Sequence, residues 1–177
     1  MRVFKVFLAA VAIVICSVCL NAQTKNEIPA YRQKGYAGDV SLVTHFVYTG
    51  LETSHGYMFN EHHFLGAGVG YSKWHLSWKA SNVHLYADYK AYVMKRRSTL
   101  TAGLKAGYML LCIMSEDGLE NAGRMSLEPN VGWDWGLKNG YGLGLSAGVQ
   151  IFPALLPDMI ETKMPLLLPM VSFGFKF

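Results

Sequence analysis

Cysteine is nearly absent from this chain of 177 residues: three are present, and Cys16 and Cys19 both lie in the first twenty positions. That leaves Cys112 without a partner in the body of the chain and excludes a disulfide framework there. Charge is scarce as well, at 16% of residues against about 25% in ordinary soluble domains. The net charge of +4 gives no basic footprint for nucleic acid, and Lys95-Arg96-Arg97 is the only dense cationic cluster. Beyond the N-terminus no apolar run approaches the roughly 18 residues of a membrane-spanning helix. Phosphate-cradling, dinucleotide-binding and zinc-ligand spacings are all missing, so no cofactor is expected.

The N-terminus is a separate object. Arg2 and Lys5 precede an apolar stretch from Val6 to Leu20, broken only by Ser17, and Leu20-Asn21-Ala22 offers a small-residue cleavage site. This is the layout of an export signal removed after residue 22. A lipidated cysteine does not fit, because Ile15 and Val18 stand where a small residue is required before Cys16 or Cys19.

What fills the rest is alternation. Val83 to Val93 sets Val83, Leu85, Ala87, Tyr89, Ala91 and Val93 against His84, Tyr86, Asp88, Lys90 and Tyr92. Leu100 to Leu110, Met125 to Trp135 and Tyr141 to Ile151 repeat the pattern. A period of two means that one face of an extended strand is apolar and the other polar. Weaker strands are expected over Tyr36–Val43, Gly50–Phe59 and Phe64–Ser72, and a last one over Leu166–Phe177. That makes eight strands, each about the 9–11 residues that a tilted membrane strand needs. Asn60-Glu61-His62, Lys95 to Ser98 and Lys138-Asn139-Gly140 read as tight links. Lys73–Asn82, Cys112–Gly123 and Phe152–Lys163 read as long ones, and Thr44–Thr49 as the one outer link that is not long.

The apolar face can point inward, as in a soluble barrel, or outward, towards lipid. Glycine decides for lipid. Gly66, Gly68, Gly70, Gly103, Gly107, Gly142, Gly144 and Gly148 share the polar face, where they would weaken a water-facing strand. In the narrow interior of an eight-stranded barrel they make room. Low charge agrees, as do aromatics near strand ends that suit a membrane girdle: Tyr71, Trp74, Trp78, Tyr108, Trp133, Trp135, Tyr141 and Phe177.

The closing strand sets Val171, Phe173, Phe175 and Phe177 on one face and Ser172, Gly174 and Lys176 on the other, and it resembles the C-terminal signature of bacterial outer-membrane barrels. Gly56-Tyr57-Met58-Phe59-Asn60, Phe64-Leu65-Gly66-Ala67-Gly68-Val69-Gly70 and Tyr86-Ala87-Asp88-Tyr89-Lys90 resemble successive hairpins of small OmpA/OmpX-like outer-membrane barrel proteins. The resemblance spans Gly35 to Phe177. It implies an all-β, eight-stranded, antiparallel up-and-down transmembrane barrel in the outer membrane of a Gram-negative cell. The domain reading is then a signal peptide (1–22), a short periplasmic lead-in (23–34) and the barrel (35–177).

With the apolar face outside, Asp39, Glu52, His84, Asp88, Lys90, Lys105, Glu128, Asp134 and Lys176 are expected in the lumen as a paired charge network. Catalysis has one candidate. His75-Leu76-Ser77 resembles the His-x-Ser arrangement of lipid A deacylases, with Glu116, Asp117 or Glu120 as an orienting third group. Trp78-Lys79 departs from that pattern, and the loop placement of His75 argues against a rigid site, so no catalytic residue is expected. His62-His63 beside Glu61 point to opposite faces and do not make a metal site. The expected partners are outer-membrane lipids and lipopolysaccharide, the latter near Lys73 to Lys79. Barrel-assembly machinery would engage the C-terminal strand, and a surface or envelope protein is left open. A structural or surface-interaction role leads; a lipid A-modifying hydrolase, a narrow pore and an accessory of an envelope export machine remain as alternatives.

Overall fold

Alternating side chains dictate strands, and strands must pair with one another. The structure, a computed structural model, describes residues 32–75, 80–115, 118–137, 141–152 and 166–177. The strands are β1 (Gly35–His45), β2 (Tyr48–Met58), β3 (His63–Trp74), β4 (Ala80–Tyr92), β5 (Ser98–Ser115), β6 (Gly118–Gly136), β7 (Gly142–Phe152) and β8 (Leu166–Lys176). Each pairs antiparallel with its sequence neighbours, and β8 returns to β1, closing the barrel. The register is staggered. Followed from Gly35 through Met58, Phe64, Lys90, Gly103, Asn130, Gly148 and Met170, it returns to β1 at His45. Such a stagger tilts the strands, as closure requires.

The seam between β1 and β8 is completed by the last residue. Gly38 N–H donates to the Phe177 carbonyl at 2.8 Å, and Phe177 N–H donates to the Gly38 carbonyl at 2.9 Å. The Phe177 ring folds over Gly38 so closely that a Cβ there would come within 2.9 Å of Cε2.

Two of the three expected long links change, and the short first link narrows further. Cys112–Gly123 is not a long loop, because β5 continues to Ser115 and β6 resumes at Gly118. Alternation is clear only up to Leu110 and again from Met125, yet antiparallel pairing satisfies backbone groups whatever the side chains are. Lys73–Asn82 shortens likewise to residues 75–79 between β3 and β4, and Thr44–Thr49 to Phe46 and Val47 between β1 and β2. The Lys138–Gly140 turn, nearly all of the Phe152–Lys163 loop and the export signal lie outside the described residues. One ladder is interrupted: β6 pairs with β7 at Leu127–Ile151 and again at Asn130–Gly148, and not across Glu128 and Pro129. Proline has no N–H to offer there.

The two faces divide sharply. Leu42, Leu51, Val69, Leu85, Leu104, Val131, Leu145 and Phe173 lie exposed on the outer wall. Buried polar and charged residues line the inside. Glycine makes this interior possible by standing beside large inward side chains on neighbouring strands. Gly68 and Gly107 are register partners of Tyr86, Gly70 of Glu52, and Gly103 and Gly148 of Asn130. A Cβ at Gly103 would meet Asn130 Oδ1 at 2.6 Å, with only side-chain atoms among its nearest neighbours. Gly103→Val is therefore expected to cost about 1–3 kcal/mol through overpacking. Adding Asn130→Gly should recover most of that cost. Unfolding midpoints of the refolded barrel check it; a double variant no better than the single one would refute the pairing.

Candidate functional site

The interior is layered along its axis. Nearest the chain termini, Met58, Phe64 and Tyr92 form an apolar cluster. At the far end Tyr48, Met109 and Phe152 form another, with Val47, Trp74 and Leu168 packed against it. The ionisable groups lie beside and between these clusters, with Asp39, Lys90 and Lys176 reaching the mouth next to Phe64 and Tyr92. The structure brings all nine residues expected of the lumen network into this space.

The network consists of linked ion pairs. Lys105 hydrogen-bonds Glu52 and meets Glu128 Oε1 at 3.0 Å. Lys90 hydrogen-bonds Asp39 and meets Asp88 Oδ2 at 2.9 Å. Lys176 hydrogen-bonds Asp134. His84 Nδ1 lies 3.7 Å from Glu52 Oε1, while its Nε2 is 2.8 Å from Ser126 Oγ. Glu128 and Asp88 are completely shielded from solvent, a placement that is costly without cations beside them. A cavity of about 40 Å³ lies among Asp39, Lys90, Lys105, Asp134 and Lys176, room for a few water molecules. The plugs and ion pairs leave no wide aqueous path through the described interior.

Serine, imidazole and carboxylate at Ser126, His84 and Glu52 follow the order of a hydrolase relay. Ser126, however, is only 2% exposed, and Lys105 already holds Glu52. The relay faces packed protein rather than a substrate cleft. The other candidate fares no better as chemistry. His75 is tied down, its N–H donating to the Val47 carbonyl at 2.9 Å and its Nε2 standing 2.9 Å from Thr49 Oγ1. It is thus held against the β1–β2 link, contrary to the expected loose loop. Ser77, Glu116 and Asp117 lie outside the described residues, as does the side chain of Glu120.

The girdle expectation needs one correction. Trp74 turns inward, with its ring 5.7 Å from that of Tyr48, because its position on β3 has the parity of the lumen face. Tyr71, Tyr108, Trp133, Trp135, Tyr141 and Phe177 are exposed on the outer wall, and Trp78 is outside the described residues. Tyr141 stacks on Phe175 at 5.5 Å.

The remaining histidines separate. His63 reaches Tyr89 Oη at 2.8 Å on the outer surface, whereas His62 Nδ1 meets the Tyr92 carbonyl at 2.6 Å. Among the described residues no group of three or more His, Cys, Asp or Glu is placed to hold a metal ion. His55 carries a polar chain on the outer wall. Tyr36 Oη lies 2.6 Å from its Nδ1, Thr53 Oγ1 lies 2.9 Å from its Nε2, and Thr53 in turn donates to the Asp39 carbonyl at 3.0 Å. Such closure lets polar groups sit on an apolar surface without loose donors.

Two interior groups escaped sequence reasoning. His45 is buried with its ring 4.2 Å from Tyr48, and only the extension of β1 past Val43 gives it lumen parity. Arg32 lies ahead of β1, where no strand pattern could place it. Its Nη2 is nevertheless 2.5 Å from Asp134 Oδ2.

No protein-family model matches the chain, and no curated protein matches it in sequence. Solved structures do match in shape. The N-terminal β-barrel domain of Pseudomonas aeruginosa OprF is 13% identical, covering 82% of this chain and 98% of that one with a TM-score of 0.54. Neisserial surface protein A (NspA) is 8% identical, covering 81% of this chain and 95% of that one with a TM-score of 0.58. Shared architecture at such low identity carries fold and nothing finer. The chain has the closed, eight-stranded antiparallel fold of the small OmpA/OmpX-like outer-membrane barrels.

Proposed function

We propose that this chain is exported, loses residues 1–22, and resides in the outer membrane as a plugged barrel with a structural or surface-interaction role. The observation that carries the reading is the inverted distribution of side chains. Leucine, valine and phenylalanine are exposed outside while Glu128, Asp88 and Lys105 are buried within. Such a wall is stable against hydrocarbon, and buried ion pairs fill much of the described interior. Export and insertion would run through barrel-assembly machinery engaging β8. Lys73 and Thr49, register partners on the outer wall beside the link that bears His75, suit contact with lipopolysaccharide headgroups. The β5–β6 hairpin is the longest pair of strands and the natural surface for an envelope or extracellular protein.

Fractionation tests the reading. The protein is expected in the outer-membrane fraction, with a mature N-terminus at Gln23 and faster migration on gels before heating than after. Recovery as a detergent-free soluble protein would overturn the proposal. A second expectation follows from the two plugs: the purified barrel in planar bilayers should show no steady conductance. Stable unitary currents would instead favour the narrow-pore reading.

A further inference from the structure

Ahead of β1, residues 32–34 border the mouth at the barrel end where β1 begins and β8 finishes. There Arg32 enters the mouth. Its guanidinium carbon sits over the Tyr92 ring, 3.7 Å from the ring centre, and Nη2 reaches Asp134 Oδ2 at 2.5 Å. Tyr92 and Asp134 belong to β4 and β6, and both are buried. Lys176 from β8 shares the same carboxylate and also faces the Tyr92 ring, at 5.6 Å. The mouth lined by Arg32, Tyr92 and Lys176 encloses about 620 Å³, and Asp134 lines the smaller cavity that shares Lys176 with it. An aromatic face at cation–π distance beside a carboxylate is the arrangement that suits a planar guanidinium better than a compact ammonium.

The geometry points to a guanidinium receptor at the terminal mouth, built from Tyr92 and Asp134 and filled in cis by Arg32. Arg32 is thereby a latch at the mouth. Three features carry the inference. The receptor residues come from the barrel, whereas its occupant comes from outside the strands. The contact joins positions 102 residues apart. It also spans the ring from β1 towards β4 and β6, so that it braces the wall across the opening. A guanidinium supplied by another molecule would compete for the same place.

The test uses the mature full-length chain, refolded in detergent, with Cys112→Ser and Ala37→Cys. Ala37 is an inward position of β1 that packs against the Met58–Phe64–Tyr92 cluster inside the mouth. A bulky water-soluble maleimide then reports access. Arg32→Ala is expected to raise the labelling rate about tenfold, and Arg32→Lys to a lesser extent. Added methylguanidinium should restore protection in Arg32→Ala, while methylammonium should not. Unheated gel mobility verifies that each variant is folded. Unchanged labelling in folded Arg32→Ala would overturn the latch, and equal protection by the two cations would overturn the receptor.

Discussion

Lys105→Met is expected to destabilise the barrel by about 3–5 kcal/mol, the scale set by removing one member of a buried charge cluster. Among the described residues Lys105 is the sole cation paired with both Glu52 and Glu128, and all three side chains are buried. Methionine leaves two carboxylates desolvated and facing one another. The loss comes from that uncompensated charge rather than from the missing contacts alone, so its cure can be specified. Glu52→Gln and Glu128→Gln combined with Lys105→Met should restore most of the stability, because neutral amides cost far less to bury. Urea titration of the barrel in lipid vesicles reads both variants. Should Lys105→Met unfold at the parental midpoint, the network contributes nothing to stability. A triple variant no better than the single one would make packing, not charge, the cause.

Leu85→Lys carries the second large effect, about 2–4 kcal/mol if Leu85 sits near the bilayer midplane. Leu85 is central in β4, exposed on the outer wall and flanked in register by Val69 and Tyr108. Against hydrocarbon a lysine there must snorkel or neutralise. In water the same substitution would be harmless on an exposed strand position. Leu85→Ala supplies the control, since it shortens the side chain without adding charge. Equal stability of the lysine and alanine variants in vesicles would mean that this wall does not meet lipid. The prediction thus tests the environment of the barrel, which fold similarity leaves open.

Much of this architecture is legible in the chain. From Val83 to Val93 the period of two assigns each residue to a face, and the structure places Leu85 outside and Asp88 inside accordingly. Glycine on the polar face signals a crowded interior. The pairing of particular glycines with particular large neighbours, Gly70 with Glu52 or Gly68 with Tyr86, depends on register and needed the closed sheet. Periodicity misled where the alternation lapses. The Cys112–Gly123 stretch falls between two clear alternating segments and reads as a link, yet its backbone pairs from Cys112–Asn121 to Ser115–Gly118. Trp74 illustrates the opposite error, since amphipathic chemistry suggested an interface while strand parity sent it inward.

By itself, the sequence determined the number of strands, their alternating faces and the set of charges that had to share an interior. Those properties are local: a residue's side of a strand follows from counting by two. Tertiary structure alone decided the partners, joining Lys105 to Glu52 and Glu128, Lys176 to Asp134, and Arg32 to Tyr92. Those contacts connect distant segments through the stagger and closure of the barrel, and no local periodicity encodes which residues will meet across its axis.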